Sequence, residues 1–417
     1  MIKLEDAISF DQNDVLNKYR DQFHIPKGKD GNDTIYFCGN SLGLQPRITK
    51  SYIEQELEDW KNMGVEGHLH AKNPWKPYHE FLTDQMAKIV GAKPIEVVVM
   101  NSLTVNLHLM MASFYRPTPK RHKIVIDYNP FPSDLYAVQS QAAWHGFDPA
   151  VSIIILKPEP GSDTVSIQSI KELLEREGDS IAIFALAGVN YYSGQFYDVK
   201  TITSLVQAYG IPIGWDMAHA AGNIDLKLHE WGCDFAVWCS YKYLNSGPGS
   251  LAGCFVHERH ANREDLPKLA GWWGQDKAIR FQMGPEFHAI PGAEGWQMSN
   301  PPILSMAAIR ASLSIFEEAG IGQLRKKSIQ LTNFLAELLL NIDSDRISLI
   351  TPTNSENRGA QLSIRVKGAD KSLFHGLMSQ NVISDWREPD VIRIAPTPLY
   401  NTYKDAFQFT EILKSLL

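Results

Sequence analysis

Cysteine is scarce: Cys38, Cys233, Cys239 and Cys254 are the only four in 417 residues. They form no C-x-x-C pair and no Cys/His series at zinc-ligand spacing, which leaves neither a disulfide framework nor a zinc module to build on. Apolar neighbours such as Phe235-Ala-Val-Trp-Cys239 point to buried thiols and a reducing cytoplasm. Basic charge is also short, with 40 Lys+Arg against 47 Asp+Glu. A net charge of −7 argues against a nucleic-acid partner, whose phosphates call for a basic face. The longest uncharged stretch, Val97 to Tyr115, carries Asn101, Ser102, Thr104, Asn106 and His108. It reads as a strand followed by a helix, so no membrane span is expected. Met1-Ile-Lys-Leu-Glu-Asp6 lacks the basic-then-apolar layout of a secretory leader. Nucleotide and metalloprotease motifs are missing too: there is no G-x-G-x-x-G, G-x-x-x-x-G-K-[ST] or H-E-x-x-H, and Gly247-Pro-Gly249 is a lone G-x-G. His68, His70 and His79 have only Glu66 and Glu80 as acidic neighbours, so no metal is expected.

What is present is the composition of a globular chain, 44% apolar and 21% charged, long enough for a sizeable core and more than one domain. Seven short apolar runs succeed one another: Glu96–Met100, Lys123–Asp127, Val151–Leu156, Ile181–Leu186, Pro212–Trp215, Phe235–Trp238 and Ser250–Phe255. Helix-length amphipathic segments, Leu103–Phe114, Ser133–Trp144, Ser166–Arg176 and Val199–Ala208, lie between most of them. Strands alternating with helices predict an α/β fold with a mostly parallel sheet covered on both faces. Only a loop separates the Phe235 and Ser250 runs, so one of the two is a candidate antiparallel insertion. After Asn300-Pro-Pro302 the character changes to long helices, Ile303–Glu318 and Gln323–Leu340. Short strands follow near Ile347–Ile350, Ala360–Val366 and Val391–Ile394, with helices at Lys371–Met378 and Tyr403–Leu416. The expected division is an N-terminal arm over 1–39 packing with the small domain, a large domain over 40–310 and a smaller α+β domain over 311–417.

In an open α/β sheet, ligands bind beyond the carboxyl ends of the strands, so the residues that end each run are the candidates. Asn101-Ser-Leu-Thr104 opens a helix and reads either as a plain N-cap or as a phosphate cradle of backbone N–H groups with Ser102 and Thr104 hydroxyls. Phe131-Pro-Ser-Asp134 brings an aromatic ring and a carboxylate to the sheet mouth, and equally starts a helix. Ile211-Pro-Ile-Gly-Trp-Asp216 ends an apolar strand on a carboxylate, with His219 three residues on, either a structural pair or a functional one. Phe235 to Asn245 runs straight into Lys242, bracketed by Tyr241 and Tyr243, where an amine is either snorkelling or retained for chemistry. Together these groups suit pyridoxal 5'-phosphate. That cofactor needs a lysine for a Schiff base, a carboxylate at the pyridine nitrogen, phosphate donors and a flat group against the ring.

The segments that carry these residues closely resemble the kynureninase family: Asn40-Ser-Leu-Gly43, Phe131-Pro-Ser-Asp134, Trp215-Asp-Met-Ala-His219 and Trp238-Cys-Ser-Tyr-Lys-Tyr-Leu-Asn245. Gly271-Trp-Trp-Gly274, Ser299-Asn-Pro-Pro302 and Ile392-Arg-Ile-Ala-Pro396 continue the match in the family's order. The resemblance implies fold type I of the pyridoxal-phosphate enzymes and a homodimer with its site near the subunit interface. It also implies hydrolysis of L-kynurenine and/or 3-hydroxy-L-kynurenine to (3-hydroxy)anthranilate and L-alanine, within tryptophan catabolism. Carried over, Lys242 would hold the cofactor, Asp216 would pair with its ring nitrogen and Phe131 would stack on the ring. Leu103, Thr104 and Asp134 would line the pocket, with His219 beside the cofactor and Tyr241 reaching the phosphate. Trp272 and Asn300 match cofactor and substrate positions, Trp272 from across the dimer. Arg393 would clamp the substrate α-carboxylate, a geometry that suits a guanidinium. His68 and Asn300 match the polar pair of members that favour the 3-hydroxy substrate. Ala187 departs from relatives with a hydroxyl residue there. The competing readings are another reaction on the same fold, a cysteine desulfurase or an aminotransferase, and an inert scaffold that keeps the fold.

Overall fold

The computed structural model describes residues 2–417. The seven apolar runs form one sheet: β1 (Val97–Met100), β2 (Lys123–Ile126), β3 (Ile153–Ile155), β4 (Ile181–Ala187), β5 (Ile213–Asp216), β6 (Phe235–Cys239) and β7 (Ala252–Val256). Their spatial order is β1-β7-β6-β5-β4-β2-β3. Every pairing from β6 to β3 is parallel, whereas β7 runs antiparallel to both β6 and β1. The antiparallel insertion is thus the Ser250 run. The sheet is buried on both faces, as a strand period of two demands. Val97 and Val99 of β1 join one core with Phe184, Leu186, Trp215 and Trp238. Val98 and Met100 join the other with Ile124, Ile126, Val237 and Cys254.

Local chemistry starts the covering helices. Ser166 caps Ile167–Glu177 by accepting from the Ser169 N–H, and Asp198 caps Val199–Ala208 by accepting from Thr201. Pro132 opens Pro132–Trp144 with its φ already set. One difference from expectation lies at the third run. Pro149–Ser152 is a turn of helix capped by Asp148, so only Ile153–Ile155 is strand; a short apolar run does not distinguish the two.

A second sheet, antiparallel, is ordered β10-β11-β9-β8 from β8 (Ile347–Leu349), β9 (Leu362–Val366), β10 (Asp385–Arg387) and β11 (Val391–Ile394). It shares a core with Ile321–Leu340 and Tyr403–Leu416, including Leu335, Leu362, Ile364, Ile392 and Phe409. Helix Ile303–Ala319 packs instead on Thr49–Met63 and Glu80–Val90, beside the large sheet. The N-terminal residues pack against the second sheet's body. Phe10 stacks on Tyr403 at 5.1 Å, Asp11 accepts the N–H groups of Tyr403 and Lys404, and Ile35–Tyr36 pairs in parallel with Val382–Ile383.

Candidate active site at the carboxyl edge of the sheet

Asp216 is the last residue of β5, and Lys242 follows the end of β6, the adjacent parallel strand. Their side chains enter one cleft, which encloses about 820 Å³ including the solvent at its mouth. Leu103, Thr104, Phe131, Asp134, His219 and Tyr241 line the same cleft, as do Ala187 and Tyr191. The lysine loop is fixed by close packing of Asn40-Ser-Leu-Gly43. The Gly43 N–H donates to Tyr241 O at 2.8 Å, and a Cβ at Gly43 would lie 2.2 Å from Asn245 Oδ1 and 2.3 Å from Lys242 O. That approach is open only to glycine.

Lys242 Nζ lies 3.0 Å from His219 Nε2 and 5.8 Å from the centre of the Phe131 ring. Burial holds His219 well below the ordinary histidine range, and the positive charges of Lys242, Arg393 and Arg387 add to the effect. The imidazole is therefore neutral, with Nε2 turned to the amine. Its Nδ1 is buried without a partner. Burial raises Asp216, opposed by Lys242, by the Ala218 N–H that donates to it at 2.6 Å, and by Asp134. Asp134 is pushed well up by burial and by the negative charge of Asp216. Both carboxyls are thus raised, Asp134 the more strongly, while Lys242 draws Asp216 toward its charged form.

At the other end of the cleft, Ser102 stands at the N-cap of Leu103–Phe114 with extended backbone but makes no side-chain cap bond. The first-turn N–H groups thus lack a side-chain acceptor, and Thr104 Oγ1 with Ser133 Oγ, 2.8 Å apart, adds two hydroxyls beside them. Such a helix start suits an anion. Phe131 is 44% exposed, its ring available on the cleft side and met edge-on by Tyr191 at 5.3 Å.

Other expected residues lie elsewhere. His68 is exposed, its Nδ1 3.0 Å from Val65 O and its ring against Trp75. Trp272 is 42% exposed and Asn300 is exposed. None of the three lines the Lys242 cleft. Arg393 is buried beside it, engaged by Asp385 and by Tyr191 O. Sequence reasoning missed Ser133, Tyr191 and Asp127. Asp127 lines the cleft, with its carboxyl raised to about 7 by burial and held by Tyr197 Oη and Asn190 Nδ2. A signal for Asp127 existed, because its run ends on a carboxylate as that of Asp216 does. Outside the cleft, Glu96, His229 and His257 gather. The two imidazoles stack at 26°, and both Nδ1 atoms face the same Glu96 oxygen, at 2.9 and 3.6 Å, so the carboxylate itself occupies the point where they meet. Glu96 already accepts from Lys93 and Glu258 backbone N–H groups. All four cysteines are buried, and burial pushes the Cys38 thiol to about 12. Among the described residues, no helix is long and apolar enough to cross a membrane.

Comparison with known proteins gives the family and the fold. A family model described as the kynureninase C-terminal domain matches residues 324–413. A kynureninase of Koribacter versatilis is 56% identical over 97% of this chain and 96% of its own length. Those of Myxococcus xanthus (53%; 98% and 97% covered) and Nematostella vectensis (47%; 100% and 94%) match as fully. Among solved structures, a cysteine desulfurase from Thermococcus onnurineus superimposes with a TM-score of 0.77 at 16% identity, covering 96% of this chain and 97% of that one. The lyase C-DES, solved with glycine linked to its PLP cofactor, gives 0.79 at 15%, covering 94% and 98%. At those identities the solved structures establish the fold, the pyridoxal-phosphate fold type I. With about half of all residues identical across nearly the whole length of its relatives, the chain belongs to the kynureninase family.

Proposed function

We propose that this protein hydrolyses L-kynurenine, or its 3-hydroxy form, to the corresponding anthranilate and L-alanine, with pyridoxal 5'-phosphate as cofactor. The observation that carries the reading is the convergence of Lys242, the Asp134–Asp216 pair, Phe131 and an uncapped helix start in one cleft of a kynureninase-family chain. The residues fit the cofactor. Lys242 supplies the amine that would hold it, Asp216 a carboxylate for the ring nitrogen, and Phe131 a flat face. Thr104, Ser133 and the helix start supply donors for the phosphate, and Tyr241, whose phenol burial keeps protonated, is a further donor. When bound, this cofactor supplies a ring that accepts the electrons released at the substrate Cα.

The chain's own groups do the rest. Lys242 Nζ is placed to take the Cα proton and later to return one, with His219 Nε2 holding the amine from behind. Asp216, drawn toward its charged form by Lys242, is the acceptor of the pair, with Asp134 beside it. Arg393 takes the substrate α-carboxylate through two N–H groups. Water attacks the side-chain ketone, and cleavage of the Cβ–Cγ bond releases the aryl acid. His68 and Asn300 are the polar pair for a 3-hydroxyl, and a site built to pair with it discriminates against the analogue lacking it.

Because His68, Trp272 and Asn300 do not line their own chain's cleft, the reading includes a homodimer in which they complete the partner's site. Exposed Trp60, Met63, Val65 and Leu69, with Leu269, Phe281 and Met283, support such an interface. Lys76, whose N–H donates to His68 O, lies over the Phe281 ring and so links the two segments. Four unpaired buried thiols suit a cytoplasmic enzyme. They also weigh against a desulfurase, which needs an accessible thiolate. The test is incubation of the reconstituted protein with each substrate, quantifying alanine and both anthranilates. Matched aryl acid and alanine support the reading; no cleavage with cofactor bound overturns it.

A further inference from the structure

Arg393 is 2% exposed, and its carboxylate partner is already inside the protein. Asp385 on β10 sits directly across the ladder from Arg393 on β11, so both side chains leave the same face. Arg393 Nη2 donates to Asp385 Oδ2, and Nη1 donates to Tyr191 O at 2.5 Å. The Nε–H is buried and has no acceptor. A carboxylate that fills a guanidinium edge uses Nε and Nη2 together; Asp385 satisfies only one of them. Asp385 also has a second cation at hand, since Arg387 Nη2 lies 3.1 Å from the same Oδ2. Arg387 is 38% exposed at its side chain and Asp385 16%, so this pair faces solvent while Arg393 does not. Two guanidiniums share one carboxylate, leaving one positive charge unmatched. Both lie over the ring of Tyr191, at 5.5 and 5.9 Å, and Tyr191 in turn meets Phe131 in the cleft.

We propose that Asp385 is the exchangeable counter-ion of the substrate-carboxylate site: it neutralises Arg393 in the empty enzyme and gives way to the substrate α-carboxylate, retreating onto Arg387. The inference rests on the reading of Arg393 as the carboxylate clamp. A buried guanidinium without a counter-charge is costly, which explains why the empty site keeps a carboxylate there. The incoming carboxylate makes the better two-point contact with the idle Nε, and its charge balances the cluster of two arginines and two carboxylates. Asp385 is a positioning residue that competes with the ligand. An internal competitor that occupies Arg393 nine-tenths of the time weakens apparent affinity about tenfold.

The experiment compares wild type with Asp385→Asn as holoenzymes. Expected in Asp385→Asn are a KM lowered by about 3- to 10-fold with a smaller change in kcat, a matching fall in the calorimetric Kd of L-alanine, and a larger L-alanine-induced rise in Tm. A raised KM and Kd would overturn the proposal, because Asp385 would then be a permanent support for Arg393. Should Asp385→Asn fail to fold, Arg387→Gln removes the retreat position. Its KM and L-alanine Kd are expected to rise several-fold, and unchanged values overturn the proposal. Absence of kynurenine cleavage by wild type would instead defeat the reading of the reaction, independently of how the variants compare in L-alanine binding.

Discussion

Lys242 Nζ lies 3.0 Å from Nε2 of His219, an imidazole that burial keeps neutral. An imidazole held neutral by burial and three nearby cations makes folding pH-dependent. Its folded pKa lies well below the unfolded value, so the contribution is free of penalty above the ordinary histidine range, near ~6.5. As pH falls below that, the unfolded chain takes a proton that the folded one refuses, and stability drops by up to ~1.4 kcal/mol per pH unit. His219→Gln should flatten this part of the Tm–pH curve of the cofactor-free protein between about pH 6.5 and 5. Identical slopes in the two proteins would contradict a neutral His219.

The carboxyl pair predicts an asymmetry. Burial and the charge of Asp216 push Asp134 up the more strongly, whereas Lys242 draws Asp216 toward its charged form, so Asp134→Asn should disturb the site less than Asp216→Asn. Activity should fall by less than about 10-fold in the first and by about 10²–10⁴-fold in the second. Equal losses in kcat would contradict this asymmetry.

Lys242→Ala should lose borohydride-trapped cofactor, read by mass spectrometry of the Lys242 peptide, together with turnover by at least about 10²–10⁴-fold. Trapping at another lysine with activity intact would remove Lys242 from its role.

The large sheet was legible because its strands are nearly continuous buried apolar runs separated by helices of clear period. Asp216 and Lys242 stood out for a related reason: a charged residue that ends such a run needs a partner or a use. Asp127 carried the same signal, but only its contact with Tyr197 and Asn190 tells its environment apart from the others. Asp385 was invisible, since β10 is three residues long and its pairing with Arg393 depends on a ladder register that composition does not encode. His68, Trp272 and Asn300 were recognised through resemblance alone, and a single chain does not bring them to Lys242.

Gly43 tests how tightly the lysine loop is fixed. A Cβ there meets the Lys242 carbonyl at 2.3 Å, a backbone atom that cannot rotate away. Gly43→Ala should cost about 1–3 kcal/mol in denaturant midpoints and lower cofactor affinity as the loop shifts. A variant with wild-type stability and cofactor Kd would mean that the loop yields without cost.

The exposed positions of His68 and Trp272 make the homodimer testable without a structure of it. If those residues complete the partner's cleft, Lys242→Ala and Trp272→Ala subunits are each defective for a different site. In a mixed dimer, one cleft lacks both groups and the other has a wild-type Lys242 facing a wild-type Trp272. Unfolding, mixing and refolding the two inactive variants in equal amounts yields half mixed dimers, each with one intact site of two. About a quarter of wild-type activity should therefore return, if subunits pair at random. Recovery to that level, measured as anthranilate release, is the expected outcome. Activity that stays at the level of the separate variants would show that Trp272 serves its own chain's cleft, and the exposed apolar face around it would need another occupant.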